Sequence, residues 1–226
     1  METMTNNILY VHILAGSLAL ISGFIAMISP KGKTWHRKSG KLYFYAMTGV
    51  FITGIIVAGL RFNRFLFLIA FLSYYSVFCG VRILKLKKLH QQQKGTWYDW
   101  FAGIVNAIAN IVFIILGLYY GIARGFTSGG ALLSIGFGIG GLLISYANLS
   151  PLIKKPEQAY HWYLSHIGNM MGGYIATVTA FISTMVTRYD LMNPYLAFAL
   201  PSLIGIPILL YWQKRIEKKF ETAKIK

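Results

Sequence analysis

Five histidines, His12, His36, His90, His161 and His166, carry most of the chemistry this chain can offer. A neutral imidazole ligates iron, copper or zinc, and a thioether such as Met170, one helical turn beyond His166, adds a soft donor. Two imidazoles on facing helices could hold haem b axially, and three could hold zinc or copper. His36, His161, His166 and Met170 are therefore the metal or haem candidates, and a redox-type protein is the function they point to. The competing expectation is histidines that pack or touch lipid headgroups. His90, in the polar run KKLHQQQK, is expected to be solvated. The spacings match no zinc signature, and there is no Cys-x-x-Cys-His haem-attachment motif. Gly-x-Ser-x-Gly, His-Glu-x-x-His and an acidic pair in the membrane are also missing, so enzymatic activity is left open only through histidines with a bound metal.

The elements that must position these groups are membrane helices. Of 226 residues 56% are hydrophobic and 12% charged, with a mean hydropathy of +0.55, outside the range of soluble domains. Seven apolar runs free of Asp, Glu, Lys and Arg occupy about 8–28, 42–60, 65–81, 100–122, 129–148, 160–185 and 194–213, each near the length that crosses about 30 Å of hydrocarbon. The fold class expected is all-α, a seven-transmembrane-helix bundle forming a single membrane domain over 1–226. The first run lacks a positive leader and a small-residue cleavage site, so it reads as a retained helix. The single cysteine, Cys79, lies within the third run and can form no intrachain disulfide.

Charge orients the helices. All but four of the 22 Lys and Arg residues fall in 29–41, 82–99, 149–159 and the tail after 213; the four are Arg61, Arg64, Arg124 and Arg188. The positive-inside rule then puts the N-terminus outside and the C-terminus, with a basic tail at 214–226, in the cytoplasm. The basic residues gathered at this interface, in a chain of net charge +16, point to anionic lipid headgroups as partners. Nucleic acid is excluded, because almost no chain is left outside the helices to form a polar surface.

The helix faces suggest how the seven pack. His12, Gly16, Ala19, Gly23 and Ala26 draw one stripe down the first helix, and Ser165, Asn169, Gly172, Ala176, Thr179 and Ser183 one down the sixth. Asn106 and Asn110 share a face of the fourth with Gly103. Small residues admit a neighbouring helix closely, and Asn or Ser can hydrogen-bond across the contact. The alternative is a small-molecule or lipid transporter whose path runs between Asn106, Asn110, Ser165 and Asn169 and a seventh helix kinked at Pro201 and Pro207. No carboxylate lies in an apolar run, which weighs against ion-coupled carriers; Asp99 is at a helix edge. The Gly-rich fifth helix raises a third expectation, a homo-oligomer or a non-catalytic membrane assembly partner.

Two patterns concern the chain's origin. ISPKGKTWH after the first helix and LSPLIKKPEQAYH after the fifth both run Ser-Pro, two lysines, then an aromatic residue before histidine, which suggests parallel repeats of helices one–two and five–six. HILAGSLALISGFIAM, HRKSGKLY and GVRIL, over about residues 9–85, resemble a family of predicted bacterial inner-membrane proteins of unknown function, with His12 four residues before Gly16 and His36, Arg37, Gly40 and Tyr43 opening the second helix. The resemblance implies a bacterial inner (plasma) membrane location and adds His12 and Arg37 to the candidate residues. HWYLSHIGNM at 161–170 lacks the arginines that the family carries on a later helix.

Overall fold

The computed structural model describes the backbone of residues 2–61 and 64–224 and the side chains of 5–60 and 67–222. The side chains of Arg61, Arg64 and Lys224, and all of Lys226, used above to assign orientation, lie outside the described residues. Seven helices follow one another: α1 (Glu2–Ile28), α2 (Thr34–Arg61), α3 (Arg64–Arg82), α4 (Trp97–Arg124), α5 (Gly129–Ile153), α6 (His161–Tyr189) and α7 (Pro194–Lys224). Two short 3-10 turns, Ile83–Lys85 and Leu89–Gln91, lie between α3 and α4. All seven helices are long and apolar enough to cross a membrane, and the described residues hold no strand.

Several helix ends differ from the apolar runs, because hydropathy locates hydrocarbon whereas backbone hydrogen bonds continue past it. Helix α1 begins at Glu2, and α2 begins at Thr34, so half of SPKGKTWHRKSGK is already helical. The described part of the basic tail is the last stretch of α7, not an irregular segment. Helix α7 starts where Asn193 Oδ1 accepts the Tyr195 and Leu196 amides at 2.9 and 3.4 Å. Pro194 follows directly, at the position where a missing N–H costs nothing.

The contacts divide the chain into two compact units, one of residues 1–77 and 172–206 and one of 78–171 and 207–226. In the first, α1 pairs with α2. Ala19 and Ala26 of the predicted stripe are buried there, and a Cβ on Gly23 would stand 2.5 Å from the Tyr174 ring. The close approach on α6 is at Gly173, whose added Cβ would lie 2.5 Å from Val77, and not at the predicted Gly172, which has open space.

In the second unit α4 pairs with α5. Gly103, Asn106, Asn110, Phe113, Gly117 and Gly121 form the buried face of α4, and Ala131, Ser134, Gly138, Gly141, Ser145 and Leu152 that of α5. Their spacing of three to four residues is the helical period. Among the small residues of the Gly-rich α5, Ser134 and Gly138 belong to this seam, whereas Gly130 and Gly136 face open space.

Candidate functional site

In the first unit, SPKGKTWH closes the end of α1. The last carbonyls of a helix have no partner within it. Here Ser29 donates its N–H and its hydroxyl to Ile25 O at 3.0 and 2.6 Å. Lys31 Nζ donates to Ala26 O at 3.2 Å and to Met27 O. His36 Nδ1, reaching back from α2, donates to Ala26 O at 2.9 Å. Partial burial against this helix end lowers the Lys31 ammonium from the ordinary lysine range. Arg37 is exposed, and its backbone N–H bonds Lys33 O.

Tyr43, from the same motif, is 1% exposed and donates its hydroxyl to Thr177 Oγ1 at 3.2 Å, because the Thr177 proton is already given to Gly173 O. His12 Nδ1 meets Thr53 Oγ1 at 2.9 Å, and Thr53 in turn donates to Gly49 O at 2.6 Å. With its proton so placed, Thr53 accepts from His12 Nδ1–H. His12, His36 and Tyr43 of the motif thus link α1, α2 and α6.

The second unit holds three polar groups. Arg82, in the last turn of α3, makes a bidentate pair with Asp99 of α4 at 2.7 and 3.0 Å. Asp99 also accepts the Thr96 amide and hydroxyl at 2.8 and 2.7 Å, which fixes the start of α4. The three candidate amides are used between or along helices, and Ser165 contributes its backbone carbonyl. Asn106 Nδ2 donates to Ser145 Oγ at 2.8 Å and Asn110 Nδ2 to Asn106 O at 2.7 Å. Asn169 exchanges two bonds with Asn148, 2.7 and 3.1 Å, and also donates to the carbonyl of Ser165.

His166 and Met170 meet the chain at one place, Gly80. His166 Nδ1 lies 2.6 Å from Gly80 O, and a Cβ on Gly80 would stand 2.7 Å from Met170 Sδ. A carbonyl oxygen can only accept, so Nδ1 of His166, like that of His36, carries the proton, and the lone pair of a neutral ring is on Nε2. This is the tautomer that backbone carbonyls impose on metal-ligating histidines.

His161 differs. Its ring is 8% exposed, and neither nitrogen has a hydrogen-bond partner. Ten residues earlier than the N-terminal end of α4's apolar run, in the turn Leu89–Gln91, His90 is close enough to interact electrostatically, and its Nδ1 is also buried and unbonded. His90 is thus half-buried, with its Nδ1 shielded, rather than wholly solvated as expected from KKLHQQQK. The signal was Leu86 and Leu89 three positions apart, which turn inward with Ile83 and Leu152 against Trp100, Leu149 and Trp162. Leaving a buried polar group unmatched costs about 1–3 kcal/mol.

The repeat-like stretches around His36 and His161 differ locally. Helix α1 stops before Ser29-Pro30, whereas α5 continues through Ser150-Pro151; the His36 ring caps a carbonyl, whereas the His161 ring nitrogens have no partner. His36 belongs to the first unit and His161 and His166 to the second. Among the described residues, no three His, Cys, Asp or Glu side chains gather to hold a metal ion. No protein-family model matches the chain, and neither curated proteins nor solved structures give a match.

Proposed function

We propose that the protein is a multi-pass membrane protein that binds haem or a transition metal through its histidines, in the manner of a redox-type protein. The observation that carries this reading is His161, buried with both ring nitrogens unbonded beside a second histidine whose Nδ1 is unbonded too. Native interiors rarely leave buried polar atoms without a partner, whether protein, ordered water or a bound ion. The charge distribution supports an inner-membrane orientation with the N-terminus outside, the C-terminus in the cytoplasm, and anionic headgroups at the basic face. His90, His161 and the His36 loop would then share the cytoplasmic side.

For the transport alternative, the Nδ2 groups of Asn106, Asn110 and Asn169 are engaged with neighbouring residues of the fold, while Asn106 Oδ1 is buried without a partner. The test is an absorbance spectrum and a metal analysis of detergent-purified protein beside a His36→Ala, His161→Ala, His166→Ala triple variant. A Soret band or a stoichiometric metal in the parent, lost in the variant, is expected. A folded parent that is colourless and metal-free, and takes up neither haem nor metal when supplied, refutes the reading.

A further inference from the structure

We infer that His90 and His161 form a two-coordinate site for a soft, singly charged transition-metal ion, Cu(I). This rests on the reading above and narrows it to one pair of side chains and one class of ion. The two rings come from different connections that the fold ties together. Lys155, just after α5, donates its Nζ to Gln93 O and Leu152 O, both at 2.9 Å. Gln93 fastens its own loop by accepting the Lys88 amide at 2.9 Å and donating to Lys85 O at 2.8 Å. The chain neighbours of the two histidines, Leu89 and Trp162, meet in one apolar cluster, in which Leu89 is fully buried. The segments that carry His90 and His161 are thus tied to one another by hydrogen bonds and apolar packing, as a preformed ligand pair requires.

The chemistry of the donors selects the ion. Magnesium and calcium need several oxygens, and structural zinc takes four nitrogen or sulfur ligands; among the described residues no third His, Cys, Asp or Glu joins the pair. Two neutral imidazoles bring no negative charge, and a dication in apolar surroundings would stay uncompensated. A positive charge at the neighbouring residue does not offset this: the Lys87 ammonium lies 4.2 Å from the centre of the Trp162 ring. Cu(I) carries one charge, favours soft or imidazole donors and is satisfied by two ligands in line. The close packing of Ile83, Leu86, Leu89 and Leu152 suits an ion better than a haem macrocycle. On the proposed topology the pair faces the cytoplasm, a reducing compartment that keeps copper monovalent.

The test is an anaerobic competition of metal-stripped, detergent-purified protein against a colorimetric Cu(I) chelator, with Zn(II) and haem titrated in parallel. His90→Ala, His161→Ala and His166→Ala are compared with the parent, and X-ray absorption counts the nitrogen neighbours of copper in the parent itself. One Cu(I) per chain with two nitrogen neighbours is expected, its affinity falling at least about 100-fold in His90→Ala or His161→Ala and staying unchanged in His166→Ala. Zinc or haem bound in place of Cu(I), or a metal lost only in His166→Ala, overturns the copper pair and leaves the broader reading standing. A parent that binds no metal and no haem overturns both and assigns the three nitrogens to ordered water. Should either variant fail to fold, the coordination number measured on the parent still decides.

Discussion

Removing the Asp99 carboxylate tests whether a single ion pair fixes the junction of α3 and α4. The side chains of Arg82 and Asp99 are only 12% and 6% exposed, so Asp99→Ala leaves a guanidinium with little access to water. Breaking a buried pair by deleting one partner costs about 3–5 kcal/mol. The lost acceptor for the Thr96 amide adds about 1 kcal/mol, since Asp99 holds the first turn of α4. Two effects work in the other direction. Arg82 keeps its place over the Tyr98 ring, 4.3 Å from the centre, which retains about 1 kcal/mol, and at a membrane edge its long stem can carry the charge toward water. A net loss of about 3 kcal/mol follows. Deleting both partners, in Arg82→Met with Asp99→Ala, removes the stranded charge and is expected to cost less than Asp99→Ala alone.

The assay is equilibrium unfolding in mixed micelles by added SDS, read from the intrinsic fluorescence of Trp97 and Trp100 beside the pair. Asp99→Ala, Asp99→Asn, Arg82→Met and the double variant complete the cycle. A loss below about 1 kcal/mol in Asp99→Ala would place Arg82 in water and refute the burial argument. So would a double variant whose loss equals the sum of the two single ones, because the pair would then be uncoupled.

Two further substitutions examine the seams. Gly138→Ala puts a methyl 2.8 Å from the Asn110 backbone oxygen, which cannot rotate away, and is expected to cost about 1–3 kcal/mol; Gly136→Ala, in open space, should stay within about 0.5 kcal/mol, and equal effects in the same unfolding assay would refute the packing. Asn169→Ala ends the reciprocal amide pair with Asn148 and should cost about 1 kcal/mol, most of it absent when Asn148 is already alanine; a loss independent of residue 148 would show that the pair contributes nothing.

How much of this was legible depended on the range of the interaction. Seven helices could be read because hydropathy over some 20 residues is a sum, insensitive to any one position. The α4 seam was legible at Gly103, Asn106 and Asn110, since a helical face repeats every three to four residues. On α6 the same reasoning missed by one, choosing Gly172 where Gly173 meets Val77, because neighbouring residues differ by 100° around the axis and a stripe tolerates that error while a contact does not. The pairing of Arg82 with Asp99 was open to inference from Thr96 and Asp99 at capping distance, yet which base the acid would meet depended on the path of residues 83–96. That path is set by two 3-10 turns with no periodic signal.

The histidines show why residue type and spacing stop short of a site. His36 and His161 follow similar short stretches, but α1 ends before Pro30 and Ala26 O meets the His36 ring, whereas α5 runs on through Pro151 and its end carbonyls Ser150 O and Leu152 O are taken by Lys154 and Lys155 instead. His166 finds Gly80 O because a residue without a side chain lets α6 approach α3. In each case a backbone carbonyl, which every residue possesses and no sequence pattern marks, decides whether the imidazole is engaged in structure. Histidines that miss such a carbonyl are the ones left to chemistry, and here that selects His161, with His90 beside it, over the more conspicuous His36 in its basic loop.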